Sequence, residues 1–583
     1  MWSEGGEIAA GCTESETGSF YSEPEAKIAK AERERGGVFV QGLMQDWPLT
    51  CNRVIDHAAV QYGRHKVVSR SVEGPVVETT YREIRDRARK LAQRLVKEGI
   101  GPGDRIGTLA WNTARHLESW YGIMGAGAVY HTVNPRLFPE QIVYIVNHAE
   151  DRVMMVDLTF VPMLEEMAPR LSTIERYVIL TDAAHMPPTK LRNAVAYEEW
   201  IAEVDGDFAW VKVDENAAAG MCYTSGTTGS PKGVVYSHRS NILQAMSTAM
   251  PDVLSISSSD VVLPAVPLFH ANSWSIAFCG PMNGASLVMP GPKLDGASLY
   301  ELLDGYKVTA TAGVPTVWFA LLHYLEQNGL KLPYLQRALI GGSACPRAMI
   351  EKFQDEYGVS VRHAWGMTEM SPIGSAGHLK PSAAACDKAK RLDFQEKQGY
   401  SIFNVEMKIT DDEGNELPWD GKTFGRLKVR GGAVARSYFK GEGGEILDGD
   451  GFFDTGDVAT IDEFGYMKIT DRAKDVIKSG GEWISSIEIE NVAVGHPDVA
   501  EAAVIGVPHP KWDERPLLIV VPKPDRKISK AEMLAFLQDK IVKWWIPDDV
   551  VFTSEIPHTA TGKILKMALR EQFRNHRLPA AAE

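Results

Sequence analysis

From about Gly42 to about Thr470, short apolar runs rich in β-branched residues alternate with amphipathic helical stretches. That alternation narrows the fold more than any other feature of the chain. Tyr81 to Glu98 carries apolar residues at helical spacing, whereas Arg105 to Ala110 and Arg152 to Val156 read as strands. Strand and helix periods in turn predict sheets covered by helices, an α/β architecture. No period of roughly 20 to 50 residues recurs, which argues against a solenoid or propeller.

The texture shifts at two places. Residues 1–41 mix Ser, Glu, Gly and Lys with little apolar content and read as a mobile N-terminal extension. Past Thr470 a smaller α+β pattern begins, with a helix from Ser486, strands near Ala502 to Val507 and Leu517 to Val521, and a helix from Ser529 to Lys540. The expected plan is therefore a large N-terminal domain (42–470), a joint at 471–474, a small C-terminal domain (475–575) and a tail (576–583).

Composition removes several classes of function. A formal charge of −14 argues against a nucleic-acid partner, which needs a basic face to displace counterions from phosphates. The longest aliphatic run, Leu517 to Val521, is far short of the roughly 20 apolar residues of a membrane span. The N-terminus has no basic start followed by an apolar segment, so no secretory signal is expected. The 6 cysteines include no CxxC pair, which speaks against zinc or disulfide frameworks and for a reducing, cytoplasmic setting.

The strongest chemical signal is YTSGTTGSPKG, Tyr223 to Gly233, directly after the strand-like AAAGMC. Glycines let backbone N–H groups approach phosphate oxygens, and Lys232 adds positive charge. The hydroxyls of Thr224, Ser225, Thr227 and Thr228 add donors or a metal ligand. A flexible surface turn is the bland alternative. A P-loop needs Gly-Lys-Ser/Thr in sequence, and here Lys232 stands between Pro231 and Gly233, so that reading fails. Farther on, Glu369 follows a Gly-bearing turn, as a Mg²⁺-holding carboxylate would, although a solvated surface Glu looks the same. Asp457 is a short acceptor suited to ribose hydroxyls, or an ordinary turn Asp.

The loop resembles the phosphate loop of the adenylate-forming superfamily. The likeness runs from about residue 45 to about 575 through PLFH (267–270), GGSACP (341–346), HAWGMTEMSP (363–372), FDTGD (453–457), DRAKDVIKSGGEWIS (471–485) and PHTATGKILK (557–566), in the family's order. The resemblance implies a large AMP-binding domain and a small mobile one. It assigns the phosphates to Thr224, Ser225, Gly226, Thr227, Thr228, Gly229 and Lys232, and Mg²⁺ to Thr224 and Glu369. Adenine would lie between Gly342, Ser343 and Ala344 on one side and Trp365, Gly366, Met367 and Thr368 on the other. The ribose would meet Asp457 and Arg472, with Ile469 close by. His270 is either a substrate contact or a satisfied core histidine.

Lys563, an ordinary solvated lysine by position alone, becomes the catalytic lysine of adenylation by this likeness. Its ammonium would stabilise the charge developing at the α-phosphate. Lys474 matches the family's hinge, about which the small domain rotates between half-reactions. Gly480, Gly481 and Trp483 would line a pantetheine passage; the bland reading is a tight hairpin with a core Trp.

The implied activity is an AMP-forming acyl-CoA ligase using ATP, Mg²⁺ and coenzyme A. Phe269 to Trp274 and GGEW resemble the medium- and long-chain fatty-acyl branch, including its methylmercaptopropionate-type members. There Trp274 would gate an acyl pocket also walled by Val314 and Trp318, although each Trp also suits a core. Nothing after residue 575 reads as a carrier domain, so free coenzyme A is the expected acceptor. Phe269 and Ala271 offer no carboxylate for an amino-acid substrate. An aryl- or short-chain ligase and an inactive acyl-adenylate-binding protein remain as alternatives. Members of this branch are often dimers, which implies a homodimer by analogy only.

Overall fold

Helices and strands form where the sequence period says they should, and their ends are set by caps. Thr80 opens the helix Tyr81–Lys97 with a capping box: its hydroxyl accepts from Glu83 N, and the Glu83 carboxylate accepts from Thr80 N at 2.8 Å. Such caps contribute about 1 kcal/mol. Tyr81, Ile84, Ala88, Leu91, Ala92 and Leu95 bury one face of that helix.

The computed structural model describes residues 42–224, 231–479, 482–538, 540–558 and 564–579. The expected N-terminal extension, 1–41, lies outside them. Pro48–Glu583 make one compact unit. Within it, a nine-stranded sheet runs in the spatial order Tyr400–Ser401, Ile373–Ala376, Ser360–Gly366, Arg337–Ile340, Ala310–Gly313, Val261–Pro264, Ser286–Met289, Lys66–Arg70, Val76–Thr80. Its middle, from Ser360–Gly366 to Lys66–Arg70, is parallel. A seven-stranded sheet runs Ala194–Ala196, Arg176–Ile179, Asp151–Val156, Arg105–Leu109, Val129–Thr132, Ala218–Tyr223, Gly233–Ser237; all its pairs are parallel except the last. A continuous apolar core joins residues of these sheets and their helices, with Trp120 stacked on Tyr130 at 4.3 Å. The α/β expectation is met.

The Gly- and Asp-rich stretch before Thr470 becomes part of a four-stranded antiparallel sheet: Val405–Thr410, Gly425–Gly431, Phe453–Ile461, Met467–Arg472. A five-stranded sheet made wholly of later residues follows in sequence; in it Asp513–Pro522 pairs with Val499–His509, Ile477–Ser479 and Asp549–Phe552. The helix expected over Ser529 to Lys540 is capped by Ser529 but ends at Leu537, because Gln538 turns to extended backbone (ψ 142°). Among the described residues no helix is long and apolar enough to cross a membrane.

Candidate active site

The strand Ala218–Tyr223 delivers Thr224 to the mouth of a cleft of about 400 Å³. The Thr224 N–H donates to Lys232 O at 2.9 Å, and Lys232 N–H donates to Thr224 Oγ1 at 3.2 Å. These two bonds close the base of the expected phosphate loop and leave both side chains on the cleft wall. Ser225, Gly226, Thr227, Thr228 and Gly229 lie outside the described residues.

Opposite stands the end of the strand Ser360–Gly366. A β-bulge falls between Trp365 and Gly366, and a Cβ on Gly366 would sit 2.0 Å from Pro372 O, so only glycine fits this close turn. Trp365, Gly366, Met367, Thr368 and Glu369 therefore all line the cleft. Glu369 is buried; its backbone O accepts from Ala435 N at 2.7 Å, and its Oε1 accepts from the Tyr438 hydroxyl at 2.7 Å. Burial first, then the Glu369 charge, pushes the Tyr438 phenol well up, so it remains a donor.

At the other end Asp457 is buried between two donors. Trp365 Nε1–H reaches its Oδ2 at 2.8 Å, and Arg472 Nε lies 2.9 Å from its Oδ1. Strand pairing places Asp457 opposite Arg472. A carboxylate has about four lone-pair sites, so Asp457 keeps capacity for two more hydroxyl donors.

The structure brings together Thr224, Lys232, His270, Trp274, Gly342, Trp365 to Glu369 and Arg472 on one cleft, with Asp457 bonded to two of its walls. Ser343 and Ala344 follow Gly342 on the same turn without lining it. That turn is pinned by Cys345 N–H donating to His363 Nε2 at 3.2 Å. Burial holds the His363 imidazole down to about 4, so it is neutral and can accept there while Nδ1–H donates to Glu396 O. Ile469 is half-buried behind the site, its N–H on Gln398 Oε1 at 2.6 Å, and Lys474 is exposed beyond the strand end; neither lines the cleft.

Of the expected acyl pocket, only Trp274 lines the cleft. Val314 lies behind Gly342. Trp318 is wholly enclosed in a separate apolar cluster, edge-on to Phe353 at 6.3 Å, because its helix Pro315–Asn328 turns that face to the sheet and away from the cleft. Gly480, Gly481, the Trp483 side chain and Lys563 lie outside the described residues.

Two features escaped sequence reasoning. Ala271 to Ser275 form a left-handed turn with φ from 43° to 64°, held by Tyr130 O–H and Asn241 on the Asn272 amide (2.9 and 3.1 Å) and by Ser273 Oγ–H on Val266 O at 2.8 Å. Tyr438, which touches Glu369, sits in a Gly-rich stretch with no local signal of chemistry.

The family model "AMP-binding enzyme" matches residues 55–439, and "AMP-binding enzyme C-terminal domain" matches 488–563. The chain belongs to the AMP-binding enzyme family. It is 50% identical over 534 residues to a 3-methylmercaptopropionyl-CoA ligase of Ruegeria pomeroyi, covering 92% of this chain and 99% of the relative. It is 47% identical to a medium-chain-fatty-acid–CoA ligase of Ectopseudomonas oleovorans, covering 91% and 97%. A long-chain-fatty-acid–CoA ligase of Thermus thermophilus is 45% identical, covering 94% and 99%. Among solved structures, the anthranilate CoA ligase AuaEII in complex with anthranoyl-AMP superposes with a TM-score of 0.81 at 25% identity, covering 91% of this chain and 99% of that one.

Proposed function

We propose that this protein is an ATP-dependent, AMP-forming acyl-CoA ligase acting on an aliphatic carboxylic acid. One observation carries the reading. A single cleft sets a phosphate-type wall (Thr224, Lys232, Glu369) against a ribose-type wall (Trp365, Asp457, Arg472), in a chain similar throughout to CoA ligases. In the first step the acid's carboxylate oxygen attacks the α-phosphorus of ATP and pyrophosphate leaves. In the second a thiolate attacks the acyl carbon and AMP leaves with the bridging oxygen. Neither step asks the protein for a covalent bond; it supplies position and charge.

The donor set suits Mg²⁺. Among the described residues no group of three or more His, Cys, Asp or Glu could hold a metal. One buried carboxylate and one hydroxyl fit an ion held mostly by nucleotide oxygens and water, which is the usual Mg²⁺ arrangement. Glu369 and Thr224 would hold it, and bound there it would draw charge from the triphosphate. Lys563 supplies the cation at the α-phosphate. Trp274 bounds the acyl channel, as its place on the cleft supports.

Residues 471–474 act as the hinge. Contacts span it: Lys468 Nζ lies 2.7 Å from Glu488, and Asp471 Oδ2, in the hinge itself, accepts from Ser486 N at 2.9 Å. A rotation about Lys474 exchanges both contacts. The test is AMP release with acids from acetic to stearic, plus benzoic and cinnamic acids, with and without coenzyme A. Release that needs both an aliphatic acid and coenzyme A supports the reading. Preference for an aryl acid moves the substrate class, and no release with any acid leaves a binding protein.

A further inference from the structure

The cleft holds two opposite charges meant for different partners, and nothing obvious keeps them from each other. Lys232 and Glu369 both line it, yet among the described residues neither makes an ion pair. Left to themselves, an ammonium and a carboxylate in one half-buried cleft would pair. Each would then be lost to an incoming ligand, because breaking a desolvated pair is costly.

Tyr438 stands between them. Its hydroxyl donates to Glu369 Oε1 at 2.7 Å, and the Lys232 ammonium lies 4.9 Å from the centre of its ring. A phenol proton suits a carboxylate, and the ring's negative face suits a cation, so one side chain satisfies both charges without neutralising either. The ring is also held in place. The turn Phe439–Gly441 that follows it is tied down by Lys440 Nζ, which donates to His148 O at 2.9 Å and pairs with Glu150 at 2.7 Å. Tyr144 O–H reaches Glu442 at 3.0 Å. Room for the lysine beside the ring comes from Gly443, where a Cβ would stand 2.8 Å from Lys232 Nζ and where φ is +80°.

We propose that Tyr438 is a positioning residue that holds Lys232 and Glu369 apart in the nucleotide-free cleft, keeping the lysine available to a triphosphate. The proposal rests on the nucleotide-site reading above. Both contacts of Tyr438 can be exchanged one at a time when a ligand enters: a phenol donor can turn to water, and a cation over a ring can move to a phosphate oxygen. A Lys–Glu pair would have to be broken instead.

The experiment is ATP binding by calorimetry, in EDTA and without acid, so that neither metal nor turnover contributes. Tyr438→Phe keeps the ring and removes the donor, which frees the Glu369 carboxylate to capture Lys232. ATP affinity then falls roughly fivefold to tenfold, about the worth of one charge-assisted contact. Adding Glu369→Gln removes the captor and restores affinity to within about twofold of Glu369→Gln alone, on the tenfold-per-1.4-kcal/mol scale. Tyr438→Leu, lacking ring and hydroxyl, weakens ATP at least as much and is rescued the same way. Thermal melting follows the fold of each variant. Unchanged affinity in Tyr438→Phe, or loss that Glu369→Gln does not repair, overturns the spacer role. Absence of ATP binding in the unmutated protein overturns the nucleotide-site reading instead.

Discussion

Trp274 and Trp318 were expected to wall one acyl pocket, and the structure separates them, so truncating each gives a paired test. Trp318 is wholly enclosed in its own cluster. Trp318→Ala leaves a dry void that neighbours cannot fill, and costs about 3–5 kcal/mol of stability. Trp274 is 7% exposed and lies on the cleft wall. Removing its ring enlarges the cleft, which water can enter, so the cavity contribution drops out and the lost transfer energy, about 1.5–3 kcal/mol, remains. The left-handed turn that carries it should survive, because Asn272 and Ser273 supply its bonds. Urea denaturation of both variants, beside activity across acids of increasing length, separates the two residues. Trp274→Ala should accept longer or bulkier acids at modest cost, whereas Trp318→Ala should lose more stability with an unshifted profile. Equal stability loss with no shift in profile for either would refute the assignment of Trp274 to the acyl channel.

Lys563→Ala should lose roughly 3–4 kcal/mol of transition-state stabilisation in adenylation, yet keep most thioester formation from supplied acyl-adenylate; equal loss in both half-reactions would remove its role. Glu369→Gln should raise the Mg²⁺ concentration needed for pyrophosphate release, and an unchanged titration would take Glu369 out of the metal site. Gly481→Leu should slow the second step so that acyl-AMP accumulates; a folded variant making neither product would refute the passage. Burial pushes the Asp157 carboxyl up to about 7, so the folded state favours its neutral form. That preference stabilises the fold fully below an ordinary carboxyl's pKa of about 4 and is lost as pH rises through about 7. Relative to the unmutated protein, Asp157→Asn should therefore gain stability across that window; parallel pH–stability curves would contradict it.

The layered fold was legible because periods are local: the helical spacing over Tyr81 to Glu98 and the strand patterns at Arg105 to Ala110 and Arg152 to Val156 correspond to Tyr81–Lys97, Arg105–Leu109 and Asp151–Val156. The meeting of Trp365, Glu369, Asp457 and Arg472 around one cleft was also legible, through the motif segments that carry them. Trp318 was misplaced because an apolar residue beside a site looks the same whether its helix turns it inward or outward. Tyr438 was missed because its meaning arises only when the segments carrying Lys232 and Glu369 fold against its loop. The left-handed turn at Ala271 to Ser275 is set by buried partners, among them Tyr130 and Asn241, far away in sequence.

The central claim is that the acid passes through an acyl-adenylate, and isotope transfer tests it most directly. A preferred acid labelled with oxygen-18 in both carboxyl positions is turned over with ATP, Mg²⁺ and coenzyme A, and the products are weighed by mass spectrometry. Attack of the carboxylate on the α-phosphorus leaves one labelled oxygen in AMP and the other in the thioester carbonyl. Label in inorganic phosphate with ADP as the nucleotide product, or AMP formed without label, would contradict it.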